Sequence, residues 1–156
     1  QPLLDASGVP HETTFAATVE AAKKKKRTAV VRSNDQAKFA FDVAKRYGPK
    51  CAFCEIAVPG LVDAAHVVGV ADNGSDDPRN GLPLCKTHHA AFDRHLVRIA
   101  ADGRTLAFAP GLSADVLGVT CAAIDTTTGA LPHVDAVTWR RELFAKKNPT
   151  EVEDGA

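Results

Sequence analysis

The stretch that decides the fold runs from residue 51 to residue 95 and reads CAFCEIAVPGLVDAAHVVGVADNGSDDPRNGLPLCKTHHAAFDRH. It contains a C-x-x-C pair, Cys51 and Cys54, and later a C-x-x-H pair, Cys85 and His88. Two such pairs, each presented by a tight turn, supply the four ligands of a tetrahedral zinc site. We therefore expect these four residues to hold a structural Zn²⁺; the alternative is a C-x-x-C turn that binds no metal.

The distribution of the four cysteines indicates the redox state of the compartment in which the protein is expected to act. Disulfides are the rival explanation, but only three of the four cysteines belong to the two pairs. Cys121 stands apart in an apolar stretch and is predicted to be a buried free thiol. This pattern favours a metal site in a reducing compartment, and hence a cytoplasmic protein.

The same stretch carries polar residues that a zinc site does not need. His66 lies in a strand-like segment, and Asn80 lies in a turn that opens into a short apolar run. His89 and Asp93 are four positions apart in a predicted helix, so both side chains leave from one face. His88 lies about 100° round that helix and can face the zinc instead. Taken singly, these residues also fit a core histidine, a turn asparagine and a surface ion pair.

In order, spacing and residue type, the pattern DAAHVVGV…DPRNGLPLC-x-x-HH-x-x-FD resembles the HNH nuclease signature, also called the ββα-metal motif. It is most similar to the restriction-type branch, which has an Ala-Ala-His centre. The resemblance implies an α+β fold: a ββα-metal core with a structural zinc, flanking helices and an additional β-hairpin.

Carried over to this chain, the resemblance implies that His66 is the general base that activates a water molecule. It implies that Asn80 pins the loop and orients the His66 ring. His89 and Asp93 then resemble the ligands of a catalytic Mg²⁺ or Mn²⁺. The four predicted zinc ligands match the family's zinc site, with histidine in place of the more usual fourth cysteine.

Two positions depart from the family pattern. Many members have a metal-ligating Asp or His directly before the base, where this chain has Ala65. Asp63 lies two residues earlier, on the same strand face, and is a candidate third ligand of the divalent ion; the alternative is a hydrogen bond within the hairpin. Gly69 replaces a common proline, which affects the stiffness of the loop.

The chain divides into an N-terminal extension (1–34), a nuclease domain (35–147, core motif 51–95) and an acidic tail (148–156). A first helix is predicted over 12–27. A second is predicted over 36–47, capped by Asp35, with Phe39, Val43 and Tyr47 on one face. A β-hairpin is predicted around Asp102–Gly103. The last predicted helix covers 132–147 and partly buries four large side chains, Val137, Trp139, Leu143 and Phe144.

Charge and composition bear on partners. The 19 basic and 19 acidic side chains balance, whereas domains that bind DNA alone are mostly basic. The basic run Lys23, Lys24, Lys25, Lys26 and Arg27 fits either a solvated helix or an arm that contacts phosphates. We therefore expect a separate recognition domain or a homodimer to supply much of the affinity.

No apolar run approaches the roughly 18 residues of a membrane span, and the first residues of the sequence lack the charged start and apolar stretch expected of a secretory signal. Because the chain also lacks Met, we expect it to be processed or part of a longer protein.

These observations favour an endonuclease acting on double-stranded DNA, as the cleavage domain of a restriction-type system. One alternative is a non-catalytic, zinc-dependent nucleic-acid-binding module. Another is a toxin-like nuclease acting on RNA or on any DNA. The catalytic set of His66, Asn80, His89 and Asp93 argues against the binding module, because binding alone does not require it.

Overall fold

Two antiparallel strand pairs and four helices make up the computed structural model, which describes residues 35–149. The helices are α1 (35–47), α2 (Lys86–Asp93), α3 (Ala114–Leu117) and α4 (Val134–Lys147). The strands are β1 (Val62–His66), β2 (Gly81–Cys85), β3 (Val97–Ile99) and β4 (Leu106–Phe108). The expected α+β class is confirmed. The basic run, the predicted helix 12–27 and most of the acidic tail lie outside the described residues.

The hairpin of β1 and β2 forms the frame of the candidate site. Val62 lies opposite Cys85, and His66 lies opposite Gly81. All of β2 is buried, and α2 begins directly after it, with Cys85 as the N-cap residue. The order β1, β2, α2 is the predicted ββα arrangement. It brings the end of β1 next to the start of β2.

Helix α1 buries Phe39, Val43 and Tyr47, as their spacing predicts. The helix ends at Tyr47, because Gly48 takes a left-handed conformation (φ 92°) and its N–H bonds the Ala44 carbonyl at 2.8 Å. The predicted N-cap is wrong. Asp35 is itself helical, whereas an N-cap residue has non-helical backbone angles.

The second predicted hairpin is present, with Val97 opposite Phe108. The Asp102 carboxylate closes its turn by accepting hydrogen bonds from the backbone N–H groups of Arg104 (2.9 Å) and Thr105 (2.8 Å). A hydrogen bond from the Thr105 hydroxyl, together with these backbone bonds, lowers the pKa of Asp102 to about 2. The carboxylate is therefore ionised at neutral pH, in the form that accepts these bonds best.

Helix α4 connects the two ends of the ββα unit through Arg140. This buried guanidinium donates to the carbonyls of Val67 (3.4 Å) and Phe92, and lies 4.2 Å from the centre of the Phe92 ring. Val67 follows β1 and Phe92 lies in the last turn of α2. One side chain from outside the motif therefore ties strand and helix together.

Cys121 differs from its prediction. It is a free thiol, but it is half-buried rather than buried, because it lies on a loop at the margin of the core. Its Sγ lies 3.5 Å from the Ala52 carbonyl. Within residues 35–149, no helix combines the length and the apolar character needed to cross a lipid bilayer.

Candidate active site and metal centre

Four buried side chains, those of Cys51, Cys54, Cys85 and His88, place their ligand atoms within 4.8 Å of one another. His88 Nδ1 lies 3.5 Å from Cys51 Sγ and 3.3 Å from Cys85 Sγ, and the sulfurs of Cys54 and Cys85 are 3.9 Å apart. Zn–S bonds of about 2.3 Å give tetrahedron edges of about 3.8 Å. The donor types and the spacing therefore fit a tetrahedral metal ion.

Neighbouring groups orient these ligands. His88 Nε2 lies 2.8 Å from the Leu117 carbonyl, which can only accept a hydrogen bond. Nε2 therefore carries the proton, and Nδ1 presents a lone pair to the sulfurs. Lys50 Nζ donates to the carbonyls of Cys51 (2.8 Å) and Cys54 (3.1 Å). Its positive charge lies beside the cluster, a contribution that the sequence did not predict.

Burial changes the chemistry of the thiols. It raises the pKa of Cys54, and it raises the pKa of Cys85 to about 11. Without a cation these sulfurs are therefore thiols at neutral pH. A bound metal ion stabilises the thiolate form, so metal binding releases protons.

His66 is the last residue of β1, and two contacts hold its ring. The Phe39 ring stacks on it, with centroids 3.9 Å apart and planes 7° from parallel. Nε2 lies 2.9 Å from Asp76 Oδ1. A carboxylate only accepts a hydrogen bond, so Nε2 carries a proton, and in the neutral form of the ring the lone pair lies on Nδ1. This is the form that a general base requires.

Asn80 is buried and bonds the backbone of the loop that precedes it. Its Oδ1 accepts from the Val68 N–H (2.9 Å), and its Nδ2 donates to the carbonyls of Val68 (3.1 Å) and Ser75 (2.8 Å). A Cβ on Gly74 would lie 1.8 Å from the Val68 carbonyl oxygen, so this fold of the loop requires glycine. Asn80 thus fixes the loop that carries Asp76, while Asp76 and Phe39 contact the His66 ring itself.

Asp63, His89 and Asp93 lie side by side. Asp63 Oδ2 is 2.9 Å from His89 Nδ1, and Asp93 Oδ2 is 3.4 Å from His89 Nε2. Asp63 Oδ1 also accepts from Lys86 Nζ at 2.5 Å. Partial burial by itself raises the pKa of Asp63, but the hydrogen bonds from His89 and Lys86 outweigh it, and the pKa lies below its usual value.

The three side chains do not converge on one point. The His89 ring lies between the two carboxylates, one at each nitrogen. Within residues 35–149, the Cys51–His88 cluster is the one group of at least three His, Cys, Asp or Glu side chains whose ligand atoms all lie within 4.8 Å. A divalent ion bound to the His89 imidazole would be held together with one carboxylate, that of either Asp63 or Asp93.

Strand alternation separates the predicted base from the predicted ligands. Asp63 and Ala65 share one face of β1, and His66 points from the other, where it meets α1. The sequence missed the roles of Asp76 and Phe39 at this site. Two adjacent carboxylates, Asp76 and Asp77, lie in the predicted turn, and this pattern could have indicated a role for Asp76. Phe39 was predicted only as part of the core.

Comparison with known proteins finds similarity over the stretch that holds the candidate site. Residues 51–100 match the family model of HNH endonucleases. No curated protein gives a significant match to the chain. Among solved structures, a "Modification dependent TagI restriction endonuclease" is similar over 69% of this chain, with a TM-score of 0.55 and 19% identity. At that identity the likeness shows a shared fold. The similarity spans only 37% of the TagI chain.

Proposed function

Because residues 51–100 match the family model of HNH endonucleases, we propose that this chain is a metal-dependent endonuclease that hydrolyses phosphodiester bonds in double-stranded DNA. The observation that carries the proposal is the environment of His66. Phe39 stacks on its ring, its Nε2–H donates a hydrogen bond to the Asp76 carboxylate, and its Nδ1 can accept a proton. A packed core histidine would not need this combination.

In the proposed reaction, His66 Nδ1 accepts a proton from water as the water oxygen bonds to the scissile phosphorus. The Asp76 carboxylate, bonded to the Nε2–H, stabilises the imidazolium that forms. The bond from phosphorus to the 3′ oxygen breaks, and that oxygen takes a proton from solvent water, which leaves a 5′-phosphate and a 3′-hydroxyl. Phe39 keeps the ring in its plane, and Asn80 keeps the loop of Asp76 in place.

We assign a catalytic Mg²⁺ or Mn²⁺ to His89 with Asp93, and Asp63 as the alternative or additional carboxylate. A bound divalent ion would supply stabilisation of the negative charge on the phosphate and on the departing oxygen. Imidazole and carboxylate donors suit such ions. The Cys51, Cys54, Cys85 and His88 cluster is assigned to structural zinc, because three thiolates and an imidazole suit Zn²⁺.

The cellular setting is proposed from the same features. A restriction-type cleavage domain acts together with a recognition domain or as a homodimer, and the balanced charge of this chain fits such a division of work. The free, buried thiols suit the reducing cytoplasm. The basic run Lys23–Arg27 is the proposed additional phosphate contact.

The test is incubation of the purified protein with supercoiled plasmid DNA, with and without Mg²⁺ or Mn²⁺. We expect nicking or linearisation that requires the added ion and is lost in His66→Ala. His95→Asn is the matched control, because His95 has a positive φ (58°), which asparagine tolerates. Full activity in His66→Ala would exclude His66 as the base. DNA binding without cleavage would favour the zinc-dependent binding module, and cleavage of RNA alone would favour the toxin-like nuclease.

A further inference from the structure

A cavity of about 430 Å³ lies between the Asn80 loop and the start of α4. One wall is formed by the loop that Asn80 fixes, and the other by the first two turns of α4. The lining residues that matter below are Ser75, Asp77, Arg79, Asn80, Asp135 and Trp139. Volumes of this order are typical of sites for small organic groups. The reaction proposed above makes no use of this cavity.

The charges of the lining do not suit a phosphate. Arg79 pairs with Asp77, with Nη2 and Oδ2 2.6 Å apart, so that guanidinium is already neutralised. Asp135 adds a carboxylate whose side chain is 89% exposed. A phosphate placed here would face two carboxylates, the paired Arg79, and His133, whose Nδ1 accepts a hydrogen bond from the Asp135 N–H at 3.1 Å. An uncharged ligand avoids that repulsion.

The shape and chemistry of the lining suit an aromatic heterocycle. Trp139 is half-buried and provides an aromatic surface, next to the apolar side chains of Val68 and Ala136. Asp135 supplies an acceptor for amino groups at the edge of a ring. Indole rings stack on any nucleobase, and carboxylates accept from the amino group of cytosine.

We propose that this cavity binds an unpaired nucleobase of the DNA substrate, stacked on Trp139 with its amino group donating to Asp135. The inference rests on the proposed function, because it assumes that the ligand is DNA. A base in a duplex is already stacked on its neighbours, so its faces become available to Trp139 only when it leaves the helix. Cytosine and adenine carry the required amino group, and thymine does not.

The position of the cavity couples it to the candidate active site. Asn80 lines the cavity and also holds the backbone of Val68 and Ser75. The next residue after Ser75 is Asp76, which bonds His66. A bound base would therefore lie one loop away from the proposed general base and would restrict the loop that orients it.

The test uses the intrinsic fluorescence of Trp139, the one tryptophan in the chain. The full zinc-loaded chain, without added Mg²⁺ or Mn²⁺, is titrated with a short oligocytidine single strand, an oligothymidine strand, and an abasic strand with the same phosphates. Labelled strands are followed in parallel by fluorescence anisotropy. We expect saturable quenching by oligocytidine, weaker quenching by oligothymidine, and little quenching by the abasic strand.

Variants locate the contact. Trp139→Ala should weaken binding of oligocytidine roughly tenfold, within the range for losing one base–aromatic stack, while Trp139→Phe should keep most of it. Asp135→Asn should remove the preference for cytosine over thymine. Val134→Ala, at an exposed position of the same helix, is the control and should change neither. Circular dichroism melting checks that each variant is folded.

Equal quenching by the abasic strand would overturn the proposal in favour of a backbone contact. It would also be overturned by strand binding without a fluorescence change, or by no binding at all. The plasmid assay is independent of these readouts. Cleavage without quenching would reject the base site and leave the nuclease intact, whereas quenching without cleavage would do the reverse.

Discussion

Asp76 and His66 are ten positions apart in the chain, yet Asp76 Oδ1 and His66 Nε2 lie 2.9 Å apart. The pair forms because the loop between the two residues folds back onto β1. The Asn80 side chain holds this loop by hydrogen bonds to the backbone of Val68 and Ser75. The Asp76 side chain is 59% exposed and that of His66 is 16% exposed, so the carboxylate meets the ring from the solvent side. The catalytic role proposed for the His66 ring thus depends on the fold of a loop.

Asp76→Asn is expected to lower kcat roughly 10- to 100-fold, at or below the lower end of what a general base contributes, because the carboxylate is solvent-exposed. The amide keeps the shape but removes the charge that stabilises the imidazolium. Asp72→Asn removes the same charge elsewhere on the loop and should retain activity. Single-turnover cleavage of a labelled duplex measures both. Equal rates for the two variants would show that Asp76 does not act through His66.

Phe39→Leu is expected to lower kcat by roughly tenfold or more, because loss of the stacked face lets the His66 ring tilt away from its reactive orientation. The side chain is buried, and we expect a loss of about 1–2 kcal/mol in unfolding free energy. Phe144→Leu, equally buried on α4, should cost similar stability without the loss in kcat. A parallel fall in activity in both variants would make Phe39 an ordinary core residue.

Gly81→Ala should displace Phe39, because the added Cβ would lie 2.7 Å from its Cζ and 2.8 Å from Val43 Cγ2. Overpacking of this kind costs about 1–3 kcal/mol. In the double variant with Phe39→Leu the first clash disappears and the second remains. The two substitutions should therefore couple by about 1 kcal/mol in urea unfolding, with partial recovery of stability. Strict additivity would mean that the loop, and not Phe39, absorbs the added methyl group.

Mutations should distinguish the proposed structural zinc site from the proposed catalytic metal site. Cys85→Ser is expected to lose zinc and to unfold, because zinc binding at such sites contributes about 10–16 kcal/mol, as much as the whole stability of an ordinary domain. His89→Ala should keep zinc and its melting temperature but cleave poorly. Elemental analysis, thermal melting and plasmid cleavage report the three properties. A Cys85→Ser protein that melts normally would contradict the structural assignment of the cluster.

The parts of the site that are close in sequence could be predicted. Cys85, His88 and His89 lie on or beside one helix, where spacing alone sets direction, so the shared direction of Cys85 and His88 and the separate face of His89 follow from local geometry. The hairpin of β1 and β2 was expected from the resemblance to the HNH signature and not from a local pattern. The direction of neighbouring side chains on one helix, in contrast, is set by a short-range rule.

Contacts between distant segments could not be predicted in the same way. Phe39 was expected in the core, but its stack on His66 depends on how α1 crosses the hairpin. The position of His89 between Asp63 and Asp93 depends on side-chain packing that a pattern does not encode. The cap at Asp35 failed because residue preference is a weak guide to a helix end.

The Arg140 contacts with Val67 and Phe92 mean that the ββα unit depends on residues that follow the motif in the chain. Residues 51–100 contain every residue of the motif, yet a fragment ending there would leave these two carbonyls without the guanidinium that bonds them. The Phe92 ring would also lose the cation stacked over it. Grafting the motif onto a new DNA-binding protein therefore requires the transplanted segment to extend through α4, to Lys147.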